Sequence, residues 1–125
     1  MSRGEEIPGL TVTLERLVYH HDAQLPADRP HAFVYYLTVR NFSQEPVILR
    51  GRKWVLRAAD GSTEVVEGDR IVGETPRLEP GDTFSYNSYH TIASDTDASG
   101  SLHGTTEDGR AFFLRVPDFR MEIPG

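Results

Sequence analysis

The stretch "EGDRIVGETPRLEPGD", residues 67 to 82, holds the residue types and spacing that come nearest to a site in this chain. Gly68 and Gly73 stand five apart, as the outer glycines of a G-x-G-x-x-G phosphate loop do, with Arg70 where the middle glycine belongs. In a dinucleotide-binding fold such a loop leads from a strand into a helix whose amino terminus holds the pyrophosphate. Here Pro76 follows Gly73 by three residues and no helical period can be read beyond it, so that mechanism has nowhere to act. Three readings are left: a turn between strands, a loop that touches a protein partner, or a nest of backbone N–H groups for a small anion, with Arg70 adding charge. The candidate binding loop comprises Gly68, Asp69, Arg70, Gly73 and Glu74. The run "LRGRKWVLR" adds Arg52 and Lys53, with Arg50 and Arg57 close by. It reads first as a solvated strand face and second as a local basic surface.

Other residues with chemistry in them form no constellation. His20 and His21 point to opposite faces of an extended chain and so do not chelate one ion together. One of them with Asp22 or His31 is the remaining arrangement for a divalent metal, without any fixed ligand spacing to recommend it. His90 and His103 lie in strand-like runs and are expected to be satisfied by backbone groups or tyrosine hydroxyls. The acidic runs "SDTDAS" and "TEDG" lack the order of a calcium loop, and Asp95 and Asp97 read as turn formers. Ser85, Ser88 and Ser94 occur near His90, but no strand–turn–helix elbow surrounds them. No catalytic, cofactor-binding or metal-ligating residue is assigned. The aromatic residues Phe33, Tyr35, Tyr36, Phe84, Tyr86, Tyr89, Phe112 and Phe113 exceed what one buried face needs. Either two sheets share them with tyrosines at the rim, or some form an exposed patch for a partner.

The elements that must position these residues are strands. "LTVTLERLVY" alternates Leu10, Val12 and Leu14 against polar neighbours and then shifts phase to Leu17 and Tyr19, as a bulge would produce. "HHDAQLPADRPHA" reads as a long loop. "FVYYLTVRNF", with Phe33, Tyr35, Leu37 and Val39 on one face, is expected to be a central strand. "VILRGRKWVLRA" follows as a long strand bulged at Gly51, with Trp54 packing between two sheets. Asp60-Gly61 is a hairpin signal, and Pro80-Gly81 and Asp108-Gly109 are further turns. "TFSYNSYHTI" is a strand, "ASDTDASG" a loop, "SLHGTT" a short strand, and "RAFFLRVPDFRMEI" a last strand with Pro117 at a bulge or an edge. Seven or so short strands, regular turn signals and no helical period predict an antiparallel β-sandwich.

Composition sets the outer limits. The 125 residues make one domain of ordinary size, and 38% hydrophobic with 26% charged residues suits a globular chain. A net charge of −6 argues against general nucleic-acid binding, which needs a basic excess. Without cysteine there is no disulfide framework, thiol nucleophile or thiolate zinc site. No apolar run approaches the ~20 residues of a membrane span, and "MSRGEEIPG" lacks the apolar core of an export signal. A cytoplasmic protein is expected.

The ordered series of these motifs resembles the ApaG domain family. The segments that carry the resemblance are "NFSQEPV", "GRKW", "ADGSTEVVEG", "VGETPRLEPGDTFSY" and "GRAFFLRVPDFRMEIP", which span about residues 8–124. The resemblance implies one all-β, immunoglobulin-like or fibronectin-III-like antiparallel sandwich over residues 1–125. It also implies a small stand-alone bacterial protein of a kind loosely associated with cobalt and magnesium resistance. In eukaryotes the domain is attached to others, among them an F-box protein and a DNA-polymerase-interacting protein, where protein binding is inferred. No enzyme activity comes with the family. The family loop usually reads G-x-G-V-V-G-x-x-P, so Arg70 departs at the middle glycine, and Lys53 stands where a histidine is frequent before the tryptophan. The first departure weakens any pyrophosphate reading and the second removes one candidate ligand. The expectation is a non-catalytic binding module for a protein partner, with no cofactor and with self-association possible. The alternative is a binder of phosphate-containing compounds or divalent cations.

Overall fold

A computed structural model of the chain describes residues 4–22 and 24–125. Met1–Arg3 of the segment read for an export signal, and Ala23 of the predicted first loop, lie outside the described residues. The described strands are β1 (Leu10–His21), β2 (His31–Asn41), β3 (Val47–Ala58), β4 (Thr63–Asp69), β5 (Arg77–Leu78), β6 (Thr83–Ile92), β7 (Thr96–Thr106) and β8 (Ala111–Met121). One sheet has the order β1-β2-β6; the other has the order β4-β3-β7-β8, with β5 pairing beside β4 on the same edge of β3. Every strand pairing is antiparallel, and the two sheets form a sandwich. Among the described residues no helix is long and apolar enough to cross a membrane.

Alternation along each strand fills one core from both sheets. Phe33, Tyr35, Leu37 and Val39 of β2 face Leu49, Trp54 and Leu56 of β3, Leu102 of β7, and Phe112, Val116 and Phe119 of β8. Trp54 is 1% exposed, and its ring lies 4.8 Å from Tyr35, 4.8 Å from His90 and 5.6 Å from Phe119. That is the inter-sheet packing its strand position predicts. The phase shift in β1 is a bulge between Leu14 and Arg16, and the kink near Gly51 is a second bulge, between Leu49 and Gly51. Pro117 lies on the edge strand β8, in the stretch where the register against β7 shifts between Ala98 and Gly100.

The reading of "ASDTDASG" as a loop holds for Ala93, Ser94 and Asp95 but not for the rest. Thr96 through Gly100 belong to β7, which runs for 11 residues and pairs with β3 and β8 on its two sides. Its small residues make room for neighbours. A Cβ on Gly100 would come 2.5 Å from the Trp54 ring, and one on Gly104 would meet the Ile48 carbonyl and the Phe112 ring. β1, β2 and β7 run longer than the segments that predicted them, at 11 to 12 residues, while β3 and β6 coincide with theirs.

Candidate functional site

The two sheets differ in width, and the difference falls on one side of the molecule. β1 packs beside β8 at one flank. At the other flank β6 lies over β3, with His90 against Trp54, while β4 extends beyond as the edge of the wider sheet. On that side β4 turns Glu64, Val66 and Gly68 inward, opposite Leu56, Trp54 and Arg52 of β3, and all three are half-buried.

Arg52 and Lys53 do not form one basic surface. Strand alternation puts Arg52 on the inner face with Trp54 and sends Lys53 outward into solvent. Arg52 lies across Gly68, the one cross-strand neighbour small enough to admit a guanidinium, whose Nη1 comes within 3.0 Å of a Cβ placed there. Nη1 donates to the carbonyl oxygens of Asp69 (2.9 Å) and Arg70 (3.0 Å), which ties the strand to the loop that follows. The same positive charge acts on the phenols of Tyr35 and Tyr86, easing pKa values that burial pushes up.

The glycine loop is a turn whose own backbone uses its donors. Arg70 N–H donates to Arg50 O (2.6 Å), Ile71 N–H to Glu74 O (2.7 Å), and Glu74 N–H back to Ile71 O (3.0 Å). Those three amides are engaged and point at no open nest. Ile71 is fully buried and plugs the core, while Val72 and Gly73 form the tip with φ of 44° and 84°. Positive φ at both central residues is the mark of a type I′ turn, for which glycine is well suited and valine is not. Arg70 has φ of 72°. The middle glycine of the loop pattern therefore answers a backbone need, and Arg70 meets it at a steric cost. Asp69, Arg70, Val72, Gly73 and Glu74 are exposed, and among the described residues the Arg70 side chain has no hydrogen bond or ion pair.

The histidines scatter. His20 stands 3.5 Å from Asp22, both exposed. His21 and His31, cross-strand partners, bring their rings to 5.5 Å, and Tyr19 shares a 2.7 Å hydrogen bond with His31 Nδ1. His103 lies over Gly51 on the outer face. Among the described residues no three histidine, aspartate or glutamate side chains converge on a metal position. His90 corrects the expectation of a satisfied strand histidine. It is 7% exposed, stacked on Tyr35 and edge-on to Trp54, and its Nε2 has no hydrogen-bond partner. Burial holds its pKa down to about 4, so the ring is neutral. Asp97 is no turn former but a strand residue paired to Arg120 at 3.1 Å, and Asp95 caps the chain end by accepting from Ile123 N–H at 2.8 Å.

The aromatics divide between core and rim. Phe33, Tyr35 and Phe112 are buried, Phe84 and Tyr86 pack against the core, and Arg16 lies over Tyr36. Tyr89 on β6 is 60% exposed, and Phe42, which the sequence reading did not single out, is 67% exposed in the β2–β3 turn.

Exposed sheet edges are, with loop clusters, the contact surfaces expected of such a module, and their states differ. β1 has a bulge with Glu15 in it, β4 is short and carries Glu64, Glu67 and Asp69, and β8 has Pro117 and is bridged by Glu5 near its start. Such bulges, charges and prolines keep other strands from pairing. The ten residues of β6, "TFSYNSYHTI", have none of them: no proline, no carboxylate, lysine or arginine, and no register shift against β2. No hydrogen bond joins the outer backbone groups of β6 to other described residues. The signal was readable in the sequence as an uncharged strand, but its edge position was not.

Comparison with known proteins agrees with this geometry. The ApaG domain model matches residues 21–107. Protein ApaG of Nitrosomonas eutropha is 34% identical over 110 residues, 87% of each chain, and Protein ApaG of Enterobacter sp. (strain 638) is 36% identical over 111 residues, 86% of each. The X-ray structure of structural-genomics target SoR45 superposes with a TM-score of 0.82 at 27% identity, covering 94% of this chain and 89% of that one.

Proposed function

From the premise that this chain belongs to the ApaG domain family, we propose that it is a non-catalytic binding module that takes an extended segment of a protein partner onto the free edge of β6. The observation that supports this reading is the unguarded edge itself. Ten uncharged residues in unbroken register present a row of unpaired backbone donors and acceptors, while the other long edges carry devices against pairing. Strand addition gives affinity through main-chain hydrogen bonds and specificity through alternate side chains. The exposed loop with Arg70 and Glu74 would then be a flanking contact, whereas Lys53, outward on the wider sheet, faces away from the added strand. Binding of phosphate compounds through the loop amides has less support, because three of those amides already bond within the protein.

The test compares the wild type with an edge variant, Asn87→Lys with Tyr89→Lys, both at exposed outward positions. Affinity capture from a bacterial lysate should recover a partner that the edge variant loses while keeping its melting temperature. Partners retained by the edge variant but lost on Arg70→Ala would move the contact surface to the loop, and loss on Lys53→Ala would move it to the outer face of the wider sheet.

A further inference from the structure

We infer that the partner segment is acidic at one defined place: it carries a carboxylate facing Arg52, two residues from an apolar side chain that covers Val66. This rests on the strand-addition reading and goes beyond it by stating the partner's chemistry. A strand added to β6 would lie about 4.8 Å further out in its sheet and about 10 Å above the other sheet, over β4. It would bring the three-stranded sheet to the width of the β4-β3-β7-β8 path beneath it.

The inward side chains of the added strand would then meet the inner face of β4 in order. At one end is Glu64, whose carboxylate already accepts two hydrogen bonds from Arg29, at 3.0 and 3.1 Å. That end is charge-satisfied and asks for nothing charged. In the middle is Val66, a half-buried valine packed on the core with Tyr86 contributing to the same cluster. At the far end Gly68 offers no side chain, and Arg52 lies in the space it leaves. Of the Arg52 nitrogens only Nη1 is hydrogen-bonded among the described residues, so Nε and Nη2 keep donors for a carboxylate. Asp69 alternates to the outer face with Gly51 as its partner, and Arg70, free of ion pairs, follows it. Positions two apart on a strand share a face, so an inward carboxylate above Arg52 puts the next inward residue over Val66. A forked guanidinium with spare donors is the group best matched to a carboxylate.

Selection of displayed random peptides of about ten residues against the chain tests this. The expected result is enrichment of sequences with Asp or Glu two positions from Leu, Ile, Val or Phe. Their binding should weaken roughly tenfold on Arg52→Gln, recover in part on Arg52→Lys, and disappear in the Asn87→Lys, Tyr89→Lys edge variant. Should Arg52→Gln fail to fold, replacing the peptide's Asp or Glu by Asn or Gln stands in, with the same roughly tenfold loss expected. Enriched peptides without the acidic residue that are still lost in the edge variant would overturn the acidic partner and leave strand addition standing. Peptides indifferent to both changes, or no enrichment at all, would overturn both.

Discussion

Arg70 holds φ at 72° in a position where glycine meets no side-chain penalty. A non-glycine residue there costs about 1–2 kcal/mol of backbone strain, part of which a glycine gives back as unfolded-chain entropy. Arg70→Gly is therefore expected to raise stability by about 0.5–1 kcal/mol in urea unfolding, and a loss of stability would show that the arginine side chain contributes more than the strain removes. His90 makes a second prediction at the same scale. Its folded pKa, about 4, lies below the ordinary 6.5, so above pH 6.5 the ring is neutral in both states and contributes no pH dependence. As pH falls from 6.5 towards 4 the unfolded chain takes up a proton that the folded chain refuses, and stability drops by about 3 kcal/mol in all. Glu64 of β4 is the charge that acts on the ring and opposes the shift only weakly; Tyr35, Trp54 and Phe119, packed on it from β2, β3 and β8, are uncharged in this range. The depressed carboxylates, Glu15, Asp22, Asp60 and Asp108, lose their contributions only as pH falls below about 4.5, so they leave the upper window to buried histidine. His90→Phe should flatten the stability profile between pH 6.5 and 4.5, and an unchanged slope would place the proton uptake elsewhere.

At the scale of elements, β7 shows how packing decides what composition obscures. Gly100→Ala would push a methyl into the Trp54 ring and should destabilise by about 1–3 kcal/mol, read as a shift of the urea midpoint; a neutral outcome would mean that Trp54 has room to turn. Small residues of this kind explain why the start of β7, through Gly100, looked like a loop while "SLHGTT" read as a strand. Gly, Ala and Ser are poor strand formers by local preference, and they are required here because Trp54 and Phe112 fill the space above them, a long-range fact with no local trace. β2 and β3 were legible because their inward residues are large and alternate. The bulge in β1 was legible because Leu14 and Leu17 break a period-2 pattern that nothing else would break. In the candidate site, the loop residues were found from glycine spacing, but the separation of Arg52 from Lys53 required the strand phase, and the exposed edge of β6 required the sheet order. Lysines at positions 87 and 89 supply the protection that β6 lacks, so they should abolish partner binding and leave the thermal midpoint within a few degrees, as surface changes do.

For the whole molecule, the central claim is that a three-stranded sheet facing a wider one is completed by a strand from another protein. Net charge of −6 shapes the encounter: an acidic segment approaches against the overall field and is held where Arg52 offers its guanidinium. Such a complex should form slowly at low salt, and its specificity should lie in register more than in rate. Hydrogen–deuterium exchange of the captured complex against the free protein is the most direct measurement. The account predicts new protection across Thr83–Ile92, with a smaller effect on Thr63–Asp69 beneath the added strand. Protection confined to the flank of β1 and β8, with β6 exchanging as in the free protein, would contradict it.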